Sequence, residues 1–127
     1  MTEETRREIT VTFSGKTQGN PGPGTWTAHQ WEPATDKQRT LRGTAEGTTN
    51  TRMELMAALK GLLLVEAGSC LTMIGSDYVV RSMNEWLPLW QMNRWRKASG
   101  KRVENVDLWQ ALVEAVKKHR RVTWRTA

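Results

Sequence analysis

The chain has 127 residues, 38% of them apolar and 25% charged, enough for one domain with its own core. Its single cysteine, Cys70, rules out an internal disulfide framework, and two histidines, His29 and His119, are too few for a Cys/His zinc site. Lys plus Arg number 19 against 13 Asp plus Glu, a net charge of +6 that favours a polyanionic partner. No apolar run approaches the ~20 residues that span a bilayer, and the opening MTEETRREIT is unlike a secretion signal. A soluble, cytoplasmic protein without a membrane partner is therefore expected, with residues 1–8 as a flexible tail.

Residues 9–13 alternate Ile9, Val11 and Phe13 with Thr10, Thr12 and Ser14, which predicts a half-buried strand ending at Gly15. Gly19-Asn20-Pro21-Gly22-Pro23-Gly24 is a rigid turn, and a strand over 25–31 folds back from it as a hairpin. A second turn at 33–37 leads into a third strand over 38–46. Residues 48–66 form the long helix on which the chain is built. Asn50 or Thr51 caps it, Glu54 follows as in a capping box, and Gly68 stops it. Met53, Met56, Ala57, Leu59, Leu63 and Leu64 make its apolar face. A buried strand over 70–76 then delivers Asp77, and a helix over 78–86 stops near Pro88. Asp107 opens a helix over 108–119, with Leu108, Leu112, Val113 and Val116 on one side, and 121–126 alternates as the last strand. The order describes one α/β domain with a five-stranded mixed sheet.

One parity of three strands is polar: Thr10, Thr12, Ser14; Thr25, Thr27, His29; and Arg121, Thr123, Arg125. Helices should therefore cover mainly one face, leaving the other wet or free for a protein partner or a second copy. Arg94, Arg96, Lys97, Lys101 and Arg102 are interleaved with Trp95 and preceded by Trp86 and Trp90, a pattern that suits phosphate contact with stacking or a plain solvated face. On spacing alone Glu54 is a cap, an ion-pair partner or, with Asp77, half of a Mg²⁺ site.

The turn Gly19–Gly24, the run Thr48-Thr49-Asn50-Thr51-Arg52-Met53-Glu54-Leu55-Met56-Ala57-Ala58 and the run Val103-Glu104-Asn105-Val106-Asp107-Leu108-Trp109-Gln110 closely resemble bacterial type 1 ribonuclease H. The likeness extends, with interruptions, from residue 9 to 124. It implies a ribonuclease H-like fold and an enzyme that cuts the RNA strand of RNA/DNA hybrids with Mg²⁺ held by four acids. Carried over, Glu54 is the helix acid and Asp77 the fourth-strand acid. The resemblance breaks at Ser14, where the family has an aspartate, and at Ala127, before the family's loop histidine and the covering helix with the fourth acid. Asp77 also runs directly into Tyr78, two residues early. The resemblance further implies that Asn20, Thr49, Asn50 and Asn105 contact the nucleic-acid backbone and that Trp86 and Trp109 line the DNA-strand groove. On their own spacing, Asn20 can equally only shape its turn and Trp109 only fill core. Trp90, Arg94, Trp95, Arg96 and Lys97 fall in the family's basic protrusion, where Gln91, Met92 and Asn93 replace some of its usual bases.

Three functions fit. The first is a degenerate protein that binds RNA/DNA hybrid or duplex nucleic acid without a metal cofactor. The second is a Mg²⁺- or Mn²⁺-dependent hybrid nuclease using Glu54, Asp77 and an acid from another subunit. The third is a protein-interaction or dimerisation module acting through the uncovered sheet face.

Overall fold

The computed structural model describes residues 8–127; the expected tail lies outside them except for Glu8, which instead opens the first strand. The elements are β1 (Glu8–Thr17), β2 (Gly22–Glu32), β3 (Lys37–Thr48), α1 (Asn50–Leu64), β4 (Cys70–Gly75), α2 (Asp77–Arg81), a π-helical turn (Ser82–Trp86), α3 (Leu87–Met92), α4 (Val106–Lys117) and β5 (Arg121–Thr126). They build a five-stranded mixed sheet of order β3-β2-β1-β4-β5. The first three strands form an antiparallel meander, and β4 and β5 run parallel, which requires the helical crossovers between them.

β1 passes its expected end because Gly15 lets it run against the start of α1. A Cβ there would lie 2.4 Å from the Met53 carbonyl carbon and 2.5 Å from the Glu54 nitrogen. The cap of α1 is Thr49 rather than Asn50 or Thr51: its Oγ1 accepts from the Arg52 N–H at 3.2 Å. Asn50 is unavailable because its Oδ1 accepts from Thr17 N (2.7 Å) and Thr17 Oγ1 (3.0 Å). The apolar stripe also differs from the expected one. Met53 and Ala57 are buried, but so are Leu55, Ala58, Gly61 and Leu62, while Leu63 is 49% exposed. Packed against β1, β2 and α4 at once, α1 buries more than a single stripe.

Pro88 does not stop the second helical segment, because it falls in the first turn of α3, where a missing N–H costs little. The segment starts at Asp77 instead of 78 and widens to a π turn before α3. α4 begins at Val106 rather than after Asp107; Asn105 before it is left-handed, with φ 59° and no side-chain capping bond.

The two faces of the sheet divide as the parity predicts. Ile9, Val11, Phe13, Trp26, Ala28, Leu71, Met73 and Trp124 are buried in the core, whereas Thr12, Ser14, Thr25, Thr123 and Arg125 are exposed on the other side. Cys70 has the parity of the open face yet is buried. Its register neighbours Glu8 and Arg121 close an ion pair at 3.0 Å across it.

Candidate nucleic-acid interface

The turn between β1 and β2 contains a cis Asn20–Pro21 peptide and a left-handed Gly19. It places Asn20 Oδ1 to accept from Asn50 N at 3.2 Å. Asn20, Asn50 and Thr17 thus form one hydrogen-bonded unit at the N-terminus of α1, beside the cap Thr49. The Asn50 and Arg52 N–H groups are taken by Asn20 and Thr49, so the helix dipole is what favours an anion here.

Arg52 extends this unit to α4. Its Nη1 donates to Asn105 Oδ1 (3.2 Å) and Asp107 Oδ1 (3.1 Å), and its Nη2 donates to Asp107 Oδ2 (2.7 Å). The fork geometry holds the Arg52 guanidinium above its ordinary pKa and the Asp107 carboxyl below its own, chiefly through those hydrogen bonds.

One turn beyond Asn105, Trp109 meets Trp90 at 5.4 Å and Tyr78 at 6.2 Å between ring centroids. Trp86 closes the layer on Tyr78 (5.9 Å) and Trp90 (6.2 Å), with the Arg81 guanidinium 5.3 Å from its ring. Trp109 is completely buried, so it does not line a groove as expected; it supports the layer from beneath. The accessible members are Tyr78, 41% exposed, and the half-buried Trp86 and Trp90. Tyr78 was missed as a site residue, although its helical spacing to Trp86 and Trp90 was a usable signal. Burial first, then the charge of Glu104, raises the pKa of its hydroxyl.

Arg94 and Trp95 are both left-handed, at φ 53° and 62°, which costs on the order of 1 kcal/mol each. Packing of half-buried Trp95 on the core offsets this, and the loop is pinned by Trp95 N to Trp90 O (2.6 Å) and Val103 N to Trp95 O (2.9 Å). Lys97 pairs with Glu104 at 3.7 Å and Arg96 donates to the Gly100 carbonyl, while Arg94, Lys101 and Arg102 are exposed.

The acids are arranged differently. Half-buried Glu54 accepts from Ser76 Oγ at 2.7 Å, the hydroxyl that also caps α2, so Glu54 makes no capping box. Asp77 is exposed, 4.0 Å from Arg81 Nη1, and accepts from Thr126 Oγ1 at 3.4 Å. Ser14 is a neutral hydroxyl on the open face, two residues from Lys16. Among the described residues no group of three or more His, Cys, Asp or Glu converges. A two-ion centre needs carboxylates that bridge the ions. The described residues do not supply that set; Glu54 and Asp77, the two acids expected to hold a cation weakly or not at all, each accept a hydrogen bond from a neighbouring hydroxyl. The histidines lie elsewhere: His29 bonds to Thr40 Oγ1 (2.7 Å) and Gln38 Oε1 (3.1 Å), and His119 Nε2 to the Leu62 carbonyl (2.8 Å).

The model of the RNase H family matches residues 6–126. Ribonuclease H of Bordetella pertussis strain Tohama I is 41% identical over 120 residues, covering 94% of this chain and 76% of that protein. Ribonuclease H of Chlorobium phaeovibrioides is 40% identical over 116 residues, covering 90% and 78%. Among solved structures, LC9-RNase H1, described as a type 1 RNase H with the type 2 active-site motif, has a TM-score of 0.81 at 25% identity. The match covers 95% of this chain but only 63% of that one, under two thirds of its length. Foamy viral protease-reverse transcriptase in complex with RNA/DNA hybrid has a TM-score of 0.79 at 16% identity, covering all of this chain and 18% of that one, a likeness of fold alone.

Proposed function

The chain belongs to the ribonuclease H family, and from that premise we propose that it binds RNA/DNA hybrid or duplex nucleic acid and does not cleave it efficiently. The observation that carries this reading is the first turn of α4. Asn105 is tied to Arg52 at the start of α1, and Trp109 four residues on supports the aromatic layer, so the candidate phosphate-binding and groove-binding groups are held as one piece. The hybrid in the foamy viral complex supports the choice of ligand.

The acid corner supports the second half. Glu54 and Asp77 already have partners within the protein, and Ser14 has no charge to offer. Each tenfold in rate is ~1.4 kcal/mol of barrier, and losing a charge-stabilising group at a phosphoryl-transfer site costs several times that.

Fluorescence anisotropy of a labelled hybrid across a salt series, beside a cleavage assay in Mg²⁺ and Mn²⁺, tests both halves. Affinity should fall steeply with salt, and product should stay at the no-protein background. Affinity indifferent to salt would remove the binding half; wild-type cleavage abolished by Glu54→Ala would remove the other.

A further inference from the structure

We propose that the open face of the sheet carries a phosphodiester-binding cleft centred on Lys16, Thr25 and Thr44, which takes a nucleic-acid strand by its sugar-phosphate backbone without a metal ion. The choice of nucleic acid as ligand rests on the reading above; the cleft itself rests on the register of the strands. Lys16, Thr25 and Thr44 are direct cross-strand neighbours on one face, and so are Ser14, Thr27 and Arg42 in the next row. Strands lie ~4.8 Å apart and same-face residues along a strand ~7 Å apart, so the two rows form a comb of hydroxyls. A cation stands at opposite ends of the two rows, Lys16 on β1 and Arg42 on β3. Neither makes an ion pair with any described residue.

The comb is also concave. A cavity of about 480 Å³ lined by Lys16, Gln18, Thr25, Thr44 and Glu46 adjoins one of about 190 Å³ lined by Ser14, Lys16, Thr25 and Thr27. The larger is in the range that holds a nucleotide-sized group. Hydroxyls and cations without an aromatic platform select phosphates over stacked bases; Trp31 is further along β2, its Nε1 donating to Asp36. At the far lip Glu46 is an acceptor for a sugar hydroxyl or a base amino group. A second copy is the poorer occupant, because Lys16, Arg42, Arg121 and Arg125 outnumber the acids Glu8 and Glu46 on this face, and two such faces repel.

The test titrates the full ¹⁵N-labelled chain with short single-stranded oligo(dT), and separately with inorganic phosphate, in EDTA and in Mg²⁺. Amide shifts should centre on residues 14–18, 25–27 and 42–46 and be the same with and without the metal. Lys16→Ala should weaken oligonucleotide binding about tenfold and flatten its salt slope by about 0.7, and Thr44→Val should weaken it about threefold. Lys118→Ala removes the same charge elsewhere and should change binding by less than about twofold. Shifts centred elsewhere, or equal effects of Lys16→Ala and Lys118→Ala, would overturn the proposal. So would saturation by phosphate that blocks any response to the oligonucleotide, since the site would then hold the free ion. Hybrid affinity measured on the same variants separates the two readings. A silent cleft beside intact hybrid binding sinks the cleft alone, whereas a responding cleft in a protein with no hybrid affinity sinks the groove and leaves the cleft standing.

Discussion

Arg52 in the first turn of α1 and Glu54 just beyond it are two residues apart, so their side chains diverge by about 200° and enter different surroundings. Arg52 donates three hydrogen bonds to Asn105 and Asp107, residues 53 and 55 positions away in sequence. Glu54 receives one, from the hydroxyl of Ser76. The grip region is therefore braced between two helices, while the acid corner is a carboxylate held by a serine. The difference teaches that the candidate grip is held by long-range polar contacts that involve neither Glu54 nor Asp77.

The comparison breaks most visibly at Trp109. Its side chain has no exposed surface and carries both Trp90 and Tyr78, so Trp109→Ala should cost about 3–5 kcal/mol and abolish hybrid binding with it. Urea denaturation gives the first quantity. Trp90→Ala sharpens the point, because a half-buried ring should lose binding about tenfold for a much smaller shift in midpoint. A Trp109→Ala protein with wild-type stability would mean that the layer does not rest on its buried member.

How much of this was legible before folding depends on the range of the interaction. The strands and the one-sided sheet were readable, because period-two alternation is local; Thr12, Ser14 and Arg125 are exposed where Val11, Phe13 and Trp124 are not. Local rules misplaced the cap and the stop. Asn50 is a good capping residue, but Thr17 takes its oxygen from 33 positions away, and Pro88 reads as a breaker until the preceding π turn puts it at a helix start. The stripe on α1 was misjudged because periodicity identifies one buried face, and a helix wedged between a sheet and α4 has more. In the candidate site, Asn20, Thr49, Asn50 and Asn105 come from motif resemblance, whereas the Arg52 fork and the Ser76 bond to Glu54 join separate elements and have no sequence signature.

Arg52 itself comes next in size. Arg52→Ala should lower hybrid affinity about tenfold by releasing Asn105 and Asp107, and Arg52→Lys should recover only part, since a single ammonium cannot reproduce the fork. Combining Arg52→Ala with Asn105→Ala should cost less than the sum of the two, a coupling of at least ~0.5 kcal/mol; strict additivity would show that the two side chains act separately on the ligand.

The same fork has a smaller signature in pH. Arg52 depresses the Asp107 pKa in the folded chain, so the carboxylate adds stability above the unfolded value of about 4, and that stability is lost as pH falls through the lower folded value. The side chains are 37% and 61% exposed, which limits the effect to under ~1 kcal/mol. Urea midpoints measured from pH 5 downwards should fall less steeply in Asp107→Asn than in the wild type, and parallel curves would detach Asp107 from the brace.

The smallest effect is expected at Glu54, and it is the sharpest contrast with Arg52. Glu54→Gln keeps a carbonyl oxygen where Ser76 Oγ donates, so the local hydrogen bond and the cap of α2 survive with only the charge removed. If that charge neither holds a metal nor meets a phosphate, hybrid affinity should change by less than about twofold, ~0.4 kcal/mol, and the change should be the same in EDTA and in Mg²⁺. Anisotropy under both conditions measures this, with calorimetry of Mg²⁺ alone on each protein as the second reading. A gain of affinity in Mg²⁺ that the wild type shows and Glu54→Gln loses would make the acid corner a working cation site. Arg52 and Glu54 would then serve the ligand together, one through phosphates and one through a metal ion, and the serine bond would be the contact that yields when the ion enters.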